Sequence, residues 1–193
     1  MLSLPDWAFY PLATAAAAGM IALAVSFGES DHRAPEEILA EGLVYDGPGL
    51  AALQTGNGLT AEFLTENGEA FVRISAARGP FDGIQSAGAF FTLTPEEREA
   101  LQGHRVRIRF NLRQADVQPA EATRLAFLIP GLGQDSWQRM PVGEDFAPIE
   151  LDIEPPSCVW TVGFIGLWPD WTTDRNTIDL ESVELMALEP VTC

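Results

Sequence analysis

The densest group of side chains able to do chemistry is Leu167-Trp168-Pro169-Asp170-Trp171-Thr172-Thr173-Asp174-Arg175-Asn176. Two indoles three residues apart can stack on the flat face of a sugar ring, while interleaved carboxylate and amide groups read its hydroxyls. Trp168, Asp170, Trp171, Asp174 and Asn176 are therefore a candidate ligand or partner loop. A second reading places the indoles at the end of a core, because Cys158, Trp160, Val162, Phe164, Gly166 and Trp168 recur at every second position. Asp170, Asp174 and Asn176 also carry oxygen ligands of the kind Ca²⁺ takes. They lack EF-hand spacing, and no metal is assigned.

The second candidate is a strand. Arg105, Arg107, Arg109, Asn111 and Arg113 alternate with Val106, Ile108, Phe110 and Leu112, so four guanidinium groups share one face. Such a face is either a platform for anions or half of a cross-strand ion-pair ladder. Glu150, Asp152 and Glu154 alternate with Ile149, Leu151 and Ile153, and Asp179 and Glu181 offer further partners.

Catalytic machinery is not legible. His32 and His104 are the two histidines, and no Gly-x-Ser-x-Gly, His-Glu-x-x-His, Cys-x-x-Cys or phosphate-binding glycine loop occurs. The chain reads as a non-enzyme without a cofactor. Its two cysteines, Cys158 and Cys193, permit one intramolecular disulfide, which suits an oxidising compartment.

The elements that must position these residues are mostly strands. Clusters of Gly, Asn, Asp and Pro at 46–49, 56–58, 67–68, 79–83 and 131–133 separate runs rich in β-branched and aromatic residues. Asn67-Gly68 predicts a hairpin between 59–64 and 70–76, since both residues accept φ > 0. Thr94-Pro95-Glu96-Glu97 is a capping box with Pro in the first turn, predicting a short helix that ends near Leu101. Further strands are expected at 87–93, 105–113, 123–129, 148–153, 158–167 and 178–188. The fold class is all-β, an antiparallel β-sandwich (jelly roll) with one short helix.

A single transmembrane helix is expected before the sandwich. Residues 7–27 carry no charge, and 21 residues at about 1.5 Å each span the hydrocarbon core of a bilayer. Thr14, Ala18, Ala22 and Ser26, with Ala15 and Gly19 beside them, form a small-residue stripe suited to close helix packing. The predicted organisation is a tail and membrane helix over 1–28, an acidic linker with a short helix over 29–44, and a sandwich over 45–193.

Charge narrows the partners. The net charge of the 193 residues is −17, from 28 acidic and 11 basic side chains, and every basic residue is Arg. A domain this acidic is repelled by nucleic acid and attracts a basic soluble protein.

Ala70 to Ile74, Ala89 to Pro95, Gly103 to Arg113, Ser136-Trp137-Gln138 and Ile178 to Leu185, in that order, resemble the galactose-binding-like jelly rolls, including many carbohydrate-binding modules. The resemblance covers about residues 45–188. It implies an extracytoplasmic, non-catalytic domain that binds glycans or proteins, and it fixes no ligand residues. The reading that joins these observations is a single-pass protein of a bacterial inner membrane with an acidic periplasmic sandwich. It would act as an accessory or interaction subunit beside other transmembrane subunits. The alternative is a membrane-tethered carbohydrate-binding module.

Overall fold

The computed structural model describes Thr14, Met20 and residues 33–79, 87–130, 136–155, 157–172 and 174–192. The chain forms two compact units, Met1–Arg33 and Ala34–Cys193. In the first, Thr14 and Met20 are helical and exposed. The rest of the expected span, including Ala15, Ala18, Gly19, Ala22 and Ser26, lies outside the described residues. Among the described residues no helix is long and apolar enough to cross a membrane.

The second unit is an antiparallel two-sheet sandwich. It opens with helix α1 (Pro35–Glu41), which buries Ile38 at 2% exposure. Strand β1 (Leu43–Asp46) follows, then a 3-10 turn (Gly47–Ala52), β2 (Gln54–Thr55), β3 (Leu59–Glu66) and β4 (Glu69–Ala76). Helix α2 (Pro95–Leu101) separates β5 (Ala89–Thr92) from β6 (His104–Gln114). The remaining strands are β7 (Ala122–Leu128), β8 (Gln138–Pro141), β9 (Ala147–Ile153), β10 (Phe164–Pro169) and β11 (Thr177–Pro190).

One sheet runs β3-β4-β11-β6-β9 with β1 added to β11, and the other runs β2-β5-β10-β7-β8. Strand β6 pairs with β11 from Ile178 to Pro190, so β4 (at 177–180) and β1 (at 182–185) share the opposite edge of β11 end to end. A register shift between Leu180 and Ser182 absorbs the junction. It lets Leu180, Val183 and Leu185 all reach the core, where each is fully buried.

Local chemistry explains the elements that were foreseen. Asn67 and Gly68 have φ of 53° and 91°, the pair of left-handed residues that a two-residue hairpin turn requires. The capping box forms as expected: Thr94 Oγ1 accepts from the Glu97 amide, and Glu97 Oε2 accepts from the Thr94 amide at 2.7 Å. Glu97 Oε2 also accepts a 3.0 Å hydrogen bond from the buried Tyr45 hydroxyl, tying α2 to β1. Burial first, then the neighbouring Glu97 charge, pushes the Tyr45 phenol far above its ordinary pKa. On β6 the alternation is complete, with Val106, Ile108, Phe110 and Leu112 at 0% exposure. At about 1.5–3 kcal/mol each, these four side chains together contribute roughly 6–12 kcal/mol of hydrophobic stabilisation.

One expectation needs correction. The strand expected at 158–167 starts only at Phe164, after a segment in which the Trp160 ring packs against the backbone of Gly163. A Cβ on Gly163 would stand 2.6 Å from the Trp160 ring, so the indole packs directly over the backbone there. Trp160 accordingly enters the core edge-on to Phe127, while Val162 is 45% exposed. The apparent single alternation from Cys158 to Trp168 is thus two runs with different faces. The compact unit starts at Ala34, and Ile38 and Leu43, within the segment 29–44, are both core residues.

Candidate functional site

The outer face of the six-stranded sheet carries the arginine strand, and each of its guanidinium groups meets carboxylates. Arg107 grips Asp152 through two bonds of 2.7 and 2.9 Å. Arg109 reaches Glu150 at 2.9 Å and Glu184 at 3.1 Å, and Arg105 reaches Glu189 at 3.1 Å. Asn111 donates to Glu181. The hydrogen bond from Arg107 holds the Asp152 carboxyl below the usual carboxylate range. This is the ladder alternative of the two sequence readings, and exposed pairs of this kind each contribute about 0–1 kcal/mol.

At one end the ladder closes into a tighter cluster. Asp179 is fully buried and accepts from Arg73 at 2.8 and 3.0 Å and from Arg113 Nε at 3.1 Å. The outer edges of the two guanidinium groups are held by Asp116 at 2.6 Å and Glu66 at 2.8 Å. The Arg113 guanidinium group also packs against the rings of both Phe71 and Phe146, at 5.0 and 4.4 Å. A cavity of about 360 Å³ beside it is lined by Glu66, Arg113, Gln114, Asp116 and Glu144. Its arginine is held by Glu66 and Asp179, and its Asp116 pairs with Arg73, so most of its charge belongs to the ion-pair cluster.

The tryptophan loop does not assemble as one site. Trp168 is fully buried; its indole N–H donates to the Arg78 carbonyl at 2.9 Å, and the Arg78 guanidinium covers the ring at 5.2 Å. Asn176 is structural, donating to the Ala76 carbonyl at 2.8 Å and accepting from the Thr177 hydroxyl at 2.9 Å. Asp174 is exposed on a turn closed by the Thr172 and Arg175 backbones. That leaves Asp170 and Trp171 at the surface. Asp170 accepts from Arg139 Nε at 2.6 Å and lies 3.5 Å from Arg124 Nε, and Trp171 is 41% exposed. Among the described residues no group of three metal-ligating side chains comes together. Cys158 is not a free thiol, and its Sγ lies 4.0 Å from the Val191 carbonyl; Cys193 falls outside the described residues.

The face that sequence reasoning missed is the outer side of the five-stranded sheet. Ile165 and Leu167 of β10 point into the core, so alternation turns Phe164, Gly166 and Trp168 outward. The register sets Phe90 and Ala126 beside Gly166, Leu128 and Thr92 beside Phe164, and Arg124 beside Trp168. Arg139 stands directly opposite Arg124 on β8. Phe90 and Phe164 meet edge to face at 5.5 Å. Trp137 fits over Gly166, where a Cβ would approach its Cη2 to 3.0 Å, and packs at 6.4 Å from Trp168. Phe90, Phe164, Leu128 and Trp137 are all half-buried, forming an apolar strip with a guanidinium and carboxylate group at one end. A signal for it did exist in Phe164-x-Gly166-x-Trp168, but only the pairing of four separate strands reveals the neighbours.

No protein-family model matches the chain, and no curated protein matches it. Solved structures similar to it include the CBM22-1 xylan-binding domain of Paenibacillus barcinonensis Xyn10C, at 10% identity and a TM-score of 0.49, covering 77% of this chain and 95% of that one. A CBM4 structure is 14% identical with a TM-score of 0.43 and coverage of 83% and 93%. CtCBM11 is 12% identical with a TM-score of 0.43 and coverage of 77% and 92%.

Proposed function

We propose that the sandwich is a non-catalytic carbohydrate-binding module, held at a membrane by the apolar segment 7–27. The observation that carries this reading is the half-buried strip Phe90, Phe164, Leu128 and Trp137 on the outer face of the five-stranded sheet. It ends at the Arg124, Arg139 and Asp170 group. Apolar ring faces beside convergent polar groups are what a pyranose needs, since its C–H faces stack on aromatics and its hydroxyls take fixed hydrogen bonds. The opposite outer face offers less, because its guanidinium groups are engaged in ion pairs.

The full-length chain in detergent micelles, applied to a glycan array, is expected to retain a polysaccharide class. Trp137→Ala should weaken that binding about 10-fold, the loss of roughly 1.4 kcal/mol of stacking. Absence of binding to every glycan would overturn the proposal. The accessory-subunit reading then returns, supported by the small-residue stripe from Thr14 to Ser26.

Pairing of Cys158 with Cys193 belongs to the same proposal, because an extracytoplasmic module folds under oxidising conditions. Reduction, or Cys158→Ser, is expected to cost about 2–4 kcal/mol in urea denaturation. An unchanged midpoint would remove the bridge from the account.

A further inference from the structure

We infer that this module selects acidic, uronate-containing glycans, and that Arg139 is the residue that reads their carboxylate; the inference rests on the glycan-binding proposal and deepens it. The Arg139 side chain is 59% exposed, and its one hydrogen bond among the described residues is through Nε, to Asp170 Oδ2 at 2.6 Å. A guanidinium group has five N–H donors, and among the described residues the terminal amino groups of Arg139 have no hydrogen-bond acceptor. Asp170 thereby orients the fork without occupying the end that binds a carboxylate bidentately.

Position strengthens the assignment. Arg124 lies directly across from Arg139 in the β7–β8 register, and two like charges set opposite each other are destabilising unless something negative lies between or above them. Asp170 supplies one carboxylate to both. A second, brought by a ligand, completes the arrangement. Trp171 follows Asp170 in the chain and is 41% exposed, which places an accessible aromatic beside this group for the ring that bears the carboxylate.

The net charge of −17 does not prevent this. The ladder carboxylates Glu150, Asp152 and Glu184 sit on the outer face of the other sheet, on the far side of the sandwich core. Packed sheets are separated by about 10 Å and their outward side chains by more, whereas a carboxylate hydrogen-bonded to Arg139 lies about 3 Å from it. The ligand therefore experiences the local guanidinium pair more than the distant acids.

The test uses oligomers of galacturonate, mannuronate and glucuronate, each paired with its carboxyl-reduced neutral counterpart, titrated into the full-length protein by calorimetry. At least one uronate oligomer is expected to bind about 10-fold more tightly than its neutral counterpart. Arg139→Gln should remove that preference and the salt dependence that accompanies it. Equal affinity for both members of every pair, or a preference that survives Arg139→Gln, overturns the inference while leaving glycan binding intact. Failure of all uronate and neutral oligomers, together with an empty glycan array, overturns the underlying proposal instead.

Discussion

Asp179→Ala is expected to destabilise the sandwich by about 3–5 kcal/mol, the range for removing one partner from a buried ion pair. Asp179 is fully buried, yet it is the point on which Arg73 and Arg113 converge. Without it, two partly buried guanidinium groups face each other across β11 with only the exposed Asp116 and Glu66 to compensate. Arg73 cannot escape the penalty by losing its proton, because a guanidinium group stays charged at any pH at which the protein is folded. Urea denaturation reads the effect directly. Asp116→Ala is the contrast, because its carboxylate is 75% exposed and its loss should fall within about 0.5 kcal/mol. If Asp179→Ala also costs less than 1 kcal/mol, the cluster is not a structural keystone.

Trp168→Ala carries the other large effect, again about 3–5 kcal/mol, the range for truncating a large buried aromatic. The indole is fully enclosed, stacks under Arg78, and satisfies the Arg78 carbonyl, which would be left without its donor. Trp171→Ala should leave stability within about 0.5 kcal/mol, because its ring is 41% exposed. The pair thus separates structure from recognition within one loop. A Trp168→Ala protein with an unchanged denaturation midpoint would contradict the packing.

What could be read beforehand follows from the range of the interaction. The hairpin at Asn67-Gly68 and the capping box at Thr94 and Glu97 are decided within four residues, and both were legible. So was the alternation of β6, where side chains sort by period alone. The strip over Gly166 was not legible, since Phe90, Leu128, Trp137 and Phe164 meet only through the registers of β5, β7, β8 and β10. Trp168 shows the same limit from the other side. Its alternation marks a strand face, but not that Arg78 and Trp137 pack against the indole and help to bury it. The short strands β1, β2 and β8 lacked a periodic signal; at two to four residues they are held by their partners rather than by their own sequence.

The end-to-end sharing of β11 by β4 and β1 has a consequence for biosynthesis. Strand β11 is the last strand to leave the ribosome, yet it lies at the centre of its sheet and joins β4, β1 and β6. The β3–β4 hairpin and the β6–β9 pair therefore wait as separate pieces, with unpaired edges, until Thr177–Pro190 emerges. A nascent chain of this kind depends on the last strand of the sandwich to close its sheet, and its exposure to chaperones and to aggregation is concentrated before that strand emerges.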